Sequence, residues 1–139
     1  MKHFFSPSPL WQYGGIAIIR ILTGTFLIFH GWEIFSEEKM TEYLQWDFFK
    51  NNTASKFLVY AGKASELISG ILLALGLLTR VACIIIAVTF IYISCFLGSG
   101  KVWYEDQHPF LFVLLAFMFF FTGPGKWSLD NRLFQKNNH

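Results

Sequence analysis

Charged residues are scarce in this chain. Asp, Glu, Lys and Arg make up 14% of its 139 residues, against about 25% in an ordinary soluble domain. A domain this small has a high surface-to-volume ratio and needs polar groups to cover it. A water-exposed globule is therefore excluded, and lipid is the solvent that fits. Net charge is low as well, at +2, and no basic run is present, which excludes nucleic acid as a partner. Cysteine occurs twice, at Cys83 and Cys95. On one helix these would lie about 18 Å apart, too far to bond within the chain. There is no Cys-x-x-Cys and no His/Cys ligand spacing, so neither dithiol chemistry nor a metal site is expected. Both thiols read as small hydrophobes of a membrane helix. Also missing are a pair of histidines opposed at one depth in different spans, a flavin fingerprint and iron–sulfur ligands. The chain has no recognisable electron-transfer centre of its own, which argues against an autonomous oxidoreductase. No internal repeat or low-complexity segment appears, and the length suits one domain over residues 1–139.

What is present is apolar. Hydrophobic residues supply 54% of positions, phenylalanine alone 17 of them. A bilayer core about 30 Å thick needs roughly 17–25 helical residues to cross it. Four runs suggest themselves, at residues 14–35, 57–78, 81–97 and 109–122. Pro109 suits the first position of the last helix, and Gly123-Pro124-Gly125 stops it. That fourth run is short and needs flanking residues or a thinner bilayer. Residues 78–80 read as a tight hairpin, with Thr79 capping the third span. Met1-Lys2-His3 before an apolar run has the outline of a secretory signal, but Arg20 interrupts it and no small-x-small cleavage site follows. The segment reads as a retained first span.

The expected architecture is all-α, an integral membrane four-helix bundle with short hairpins. Both termini then share one side, with Lys2, Arg80, Lys126, Arg132 and Lys136 against Lys39, Lys50, Lys56 and Lys101 on the other. The excess of Lys and Arg places the termini, including a short tail over residues 123–139, in the cytoplasm. In the first outer loop, Met40, Tyr43, Leu44 and Phe48 recur at helical spacing among Glu37, Glu38, Glu42 and Asp47. This predicts a short interfacial helix on the membrane surface or capping the bundle. Trp11, Tyr13, Trp46, Trp103, Tyr104 and Trp127 fall near span ends, as interfacial anchors do.

Ionisable groups inside hydrocarbon are costly and mark candidate sites. The first span carries Arg20, His30 and Glu33, and the second carries Lys63 and Glu66. At 100° per residue Arg20, Thr23, Gly24, His30 and Gly31 share a face, with Glu33 at its margin; Gly62, Lys63, Glu66, Ser69 and Gly70 share another. Such polar, small-residue stripes face each other or a wet cavity. Depth brings His30, Glu33, Lys63 and Glu66 into one cluster opening outward, with Arg20 closing it from below or snorkelling to the headgroups. His108, expected as the cap of the fourth span, approaches from above; the tail residues His3 and His139 carry no assignment. Two readings stay open. The charges either pair only to fix helix register, or they line a cavity for a quinone head group or a proton path, chemistry that His and Glu can serve.

Three motifs then stand in order. Arg20-x3-Gly24 and Phe29-His30-Gly31-x3-Phe35 form the first. Glu66-x3-Gly70 with Gly76-Leu77-x-Thr79-Arg80-x-Ala82 forms the second, and Gly123-Pro124-Gly125-x2-Ser128-Leu129-Asp130 the third. Together they resemble the DoxX family of small membrane proteins over about residues 14–130. The resemblance implies a four-helix bundle of the bacterial cytoplasmic (inner) membrane, associated with redox complexes and quinone-linked electron transfer. Soluble or membrane redox subunits are then the expected partners, besides the lipid bilayer, and a quinone is the candidate cofactor. The oligomeric state is left open, a homo-oligomer included. Relatives carry an acidic residue in the outer loop before the fourth span, for which Glu105 is the nearest match here. The tail motif reads as structural: the glycines permit positive φ, Pro124 prevents continuation, and Ser128 or Asp130 caps a short surface helix. An accessory redox subunit leads these readings, with a small-molecule transporter and a structural anchor or assembly factor as alternatives.

Overall fold

A computed structural model describes residues 9–50, 53–98, 100–101 and 103–134; Lys2, His3, Lys136 and His139 lie outside them. Among the described residues every regular element is helical. Helix α1 (Gln12–Gly31) passes into a 3-10 turn at Trp32–Phe35. Two short helices follow, α2 (Glu37–Leu44) and α3 (Asp47–Lys50). Then come α4 (Ser55–Leu75), α5 (Thr79–Tyr92) with a π-helical end at Ile93–Leu97, α6 (Gln107–Thr122) and α7 (Leu129–Phe134). Among the described residues, three segments are long and apolar enough to cross a membrane: Gln12–Phe35, Ser55–Leu75 and Thr79–Leu97. Helix α6 is as apolar but has 16 residues, about 24 Å at 1.5 Å each.

Several ends differ from the sequence expectation, and backbone chemistry explains each difference. The second long helix stops at Leu75 because Gly76 takes the left-handed conformation at φ 64°. Gly76 N–H then donates to Leu73 O at 3.1 Å and Leu77 N–H to Leu72 O at 2.9 Å, the glycine-closed helix end that satisfies terminal carbonyls. The hairpin is therefore residues 76–78, and Thr79 and Arg80 belong to the first turn of α5. Nor does Thr79 cap that helix. Its hydroxyl is buried without a partner, while the Asp130 carboxylate accepts from Leu78 N–H at 2.7 Å and Thr79 N–H at 2.9 Å. Helix α6 begins at Gln107, so Pro109 is its third residue, where an N–H is still not needed. His108 is the second residue and no cap.

Helices α1 and α4 pack most closely. A Cβ at Gly70 would meet Ile28 N at 2.8 Å, and one at Gly24 would meet Ala74 Cα at 2.8 Å. Partner numbers fall along α4 as they rise along α1, so the pair is antiparallel, with small residues letting the backbones approach as in membrane helix pairs. Helix α4 packs in turn on α5, α5 on α6, and α6 back on α1. The apolar core gathers Leu27 and Leu73 with Ala82, Cys83, Ile86 and Phe90 of α5 and Val113, Ala116 and Phe119 of α6. The opposite faces carry large apolar groups turned outward, among them Phe29, 72% exposed, Val88, 64%, and Phe121, 78%. In water this surface would aggregate; against acyl chains it is matched. Cys83 lies in the core and Cys95 on the outer surface, both free.

The segment between α1 and α4 folds over one end of these helices. Ser36 starts α2 and accepts from Lys39 N–H, with Glu37 and Glu38 at the positive end of the helix dipole. Met40 of α2, Phe49 of α3 and Val59 of α4 form a second apolar cluster with Ile34, Tyr43, Leu58 and Leu97. The cap is thus held by buried side chains.

Candidate functional site

Beneath the cap lies an ion triad. Lys63 Nζ is 2.8 Å from Glu33 Oε2 and 3.0 Å from Glu66 Oε2, with little side-chain exposure at any of the three. The ammonium also donates to the backbone carbonyl of His30 at 3.3 Å. Lys63 and Glu66 are one helical turn apart on α4; Glu33 comes from the 3-10 turn after α1. That turn re-aims Glu33 from the margin of its stripe toward α4. Tyr43 of α2 completes the group: its hydroxyl donates to Glu33 at 2.6 Å, and its ring lies 4.8 Å from the Lys63 nitrogen, a cation–π distance. The Tyr43 phenol is held above its ordinary pKa, first by burial and then by its hydrogen bond to the Glu33 carboxylate. By sequence Tyr43 is only an apolar position of the loop helix. Its i+10 spacing from Glu33 carries no helical signal that could have paired them.

Two members of the triad, Lys63 and Glu66, border a cavity of about 290 Å³ reached by α1, the cap, α4, α5 and α6, while Glu33 stands behind Lys63 and is not part of its wall. His30, Tyr43, Lys63, Glu66 and His108 contribute to its walls, and Leu58, Val59, Phe90, Ile93 and Phe112 supply apolar lining. His30 and His108 are exposed, Glu66 is buried. Phe90 and Phe112 stack with centroids 4.9 Å apart. Gly62 also lines the cavity, with no atom within 4 Å of where its Cβ would stand. Glu105 is not among the lining residues; it lies in the turn before α6, 3.7 Å from Lys101. Among the described residues no three His, Cys, Asp or Glu side chains could hold a metal ion.

Arg20 belongs elsewhere. It is fully buried, but its guanidinium points to the opposite end of α4. There Nη1 donates to Leu73 O at 2.5 Å and Ala74 O at 2.7 Å, Nε to Pro124 O at 2.8 Å, and Nη2 to Trp127 O at 3.1 Å. A cation thus satisfies carbonyls at the negative end of a helix and ties them to the tail. The tail segment is pinned further by Lys126 N–H to Tyr13 O and Asp130 N–H to Gly76 O, both 2.9 Å. Ser128 Oγ accepts from Asn131 N–H at 3.2 Å to start α7, and Asn131 Nδ2 donates to Gly125 O at 2.7 Å. Gly123 and Gly125 take φ 81° and 69°. Arg20, Gly76, Gly123-Pro124-Gly125, Ser128 and Asp130 therefore form one clasp, apart from the ion triad.

The DoxX family model matches residues 15–98, more than half of the chain. The chain belongs to the DoxX family. The match runs from α1 to the π-helical end of α5, so it takes in the triad and the Gly76 hairpin and stops before the tail motif. With its apolar outer faces, this DoxX-family chain is a membrane protein. It is also 31% identical over 130 residues to an uncharacterised protein of Haemophilus influenzae, covering 87% of this chain and 92% of that one. No solved structure matches it.

Proposed function

We propose that this DoxX-family protein is an accessory membrane subunit of a redox complex, and that the cavity beneath its cap receives a quinone head group. The observation that carries this reading is the cavity's division, with a charged, hydrogen-bonding end at Lys63, Glu66 and the two histidines and apolar walls from α4, α5 and α6. A quinone has that same division, a ring with two carbonyl acceptors on an apolar body. A bound quinone supplies two-electron carrier chemistry. The chain's own residues supply shape, hydrogen bonds and exclusion of bulk water. All four long helices cross the membrane in this reading, α6 by local thinning of the bilayer, and α2 lies at the outer interface. The membrane is the bacterial cytoplasmic one. Lys2, Arg80, Lys126, Arg132 and Lys136, five against four on the other side, support a cytoplasmic clasp end, where a soluble redox subunit can meet it.

The test is purification in mild detergent from native expression levels, followed by identification of co-purifying proteins and extracted lipids. A redox subunit together with quinone at near-stoichiometric yield is the expected result. Repeated preparations with neither would sink the reading.

A further inference from the structure

The polar groups on the cavity wall are not equally free to meet a ligand. Lys63 has three ammonium protons, and three acceptors lie within reach: Glu33, Glu66 and the His30 carbonyl. Tyr43 spends its single O–H on Glu33. An ionised Glu66 has no proton to donate. The imidazoles of His30 on α1 and His108 on α6 differ. Both line the cavity, and among the described residues neither ring is engaged in a hydrogen bond. Charge adds a second constraint. Two carboxylates face one ammonium, so the polar end carries an excess negative charge when all three groups are ionised. In a low-dielectric setting that excess is felt strongly by a ligand.

We infer that the cavity selects a neutral amphiphile whose head accepts hydrogen bonds, that His30 and His108 are its donors, and that the Glu33–Lys63–Glu66 triad repels anionic heads. This rests on the quinone reading above and assigns its residues. Lys63 is then a positioning residue, since its bond to the His30 carbonyl fixes the stretch of α1 that presents the imidazole. The apolar walls at Leu58, Phe90 and Phe112 hold the rest of the molecule.

The experiment is equilibrium dialysis of the full chain in detergent against a short-chain naphthoquinone and the same ring bearing a sulfonate. The parent protein binds the neutral ring and holds the sulfonate at least about tenfold more weakly. Replacing both donors, His30→Leu with His108→Leu, weakens the neutral ring by about tenfold or more, the loss of two ordinary hydrogen bonds. Gly62→Leu, whose side chain enters open space, removes binding of both. Glu66→Gln, with Glu33→Gln as the less buried second choice, narrows the gap between the two probes, a gain that damage to the fold does not produce. Neutral-ring binding unchanged in the double histidine variant but lost in Gly62→Leu overturns the donor assignment alone. An unchanged gap in both glutamine variants overturns the charge filter. No binding by the parent overturns the quinone reading and this inference with it.

Discussion

Lys63 spans the boundary between cap and bundle. Removing it leaves Glu33 and Glu66 close to the same vacated position, two carboxylates with no cation between them. Breaking a buried pair from one side costs roughly 3–5 kcal/mol. Lys63→Met should therefore lower thermal stability in detergent far more than Glu66→Gln, which leaves the Lys63–Glu33 pair in place. Equal melting temperatures for the two variants would show that the triad does not hold the fold. Tyr43 gives a pH signature at the same place. Burial, followed by its bond to Glu33, raises its pKa, so the folded protein favours the neutral phenol. That contribution is complete below the ordinary tyrosine value of about 10 and disappears as pH rises through the raised folded value. Stability should fall above pH 10 in the parent, and Tyr43→Phe should lack that step. A phenolate absorbance titration compared between the two proteins checks it.

At the scale of elements, two glycines of α4 make opposite predictions. Gly70 lies where a Cβ would meet α1 backbone and Leu27 Cβ within 3.0 Å, whereas Gly62 faces open space. Gly70→Val should push α1 and α4 apart, giving aggregated or protease-sensitive protein, while Gly62→Ala should purify and melt as the parent does. Equal behaviour of both variants would mean that close helix approach is not what holds this pair. Hydropathy made the long helices legible because each is a sustained apolar run. Helical periodicity likewise placed Lys63 and Glu66 on one face of α4. Helix ends were less legible: Gly76 ends α4 through a left-handed backbone, and the sequence run continues apolar through Leu78. Arg20 was the least legible of the charged residues. Its partners are main-chain carbonyls, each some fifty or more than a hundred residues away, and a carbonyl has no side-chain signature to read. Asp130 was legible as a cap, but sequence spacing pointed to the neighbouring helix α7 rather than to α5 across the hairpin.

For the whole molecule, the clasp bears on a question that the length of α6 leaves open. Among the described residues, three segments are long enough to cross a membrane on their own, and α6 is not. Yet its two ends are tied to opposite ends of the bundle. His108 near its start lines the cavity beside His30 and Lys63. The residues just past its end bind Arg20, Tyr13 and the Gly76 hairpin. In the proposed four-span arrangement, a helix tied at both ends in this way crosses with the other three, whatever its hydropathy length. On that proposal the tail and the α4–α5 hairpin share one side of the membrane, and the turn around Lys101 faces the other. A reporter inserted after Gly100 and one fused after Phe134 should therefore signal opposite sides. Arg20→Leu should blur the second reporter by releasing the tail from α4, leaving the first unchanged. Both reporters on the same side in the parent would mean that α6 does not cross and that the clasp forms by some other route than a fourth span.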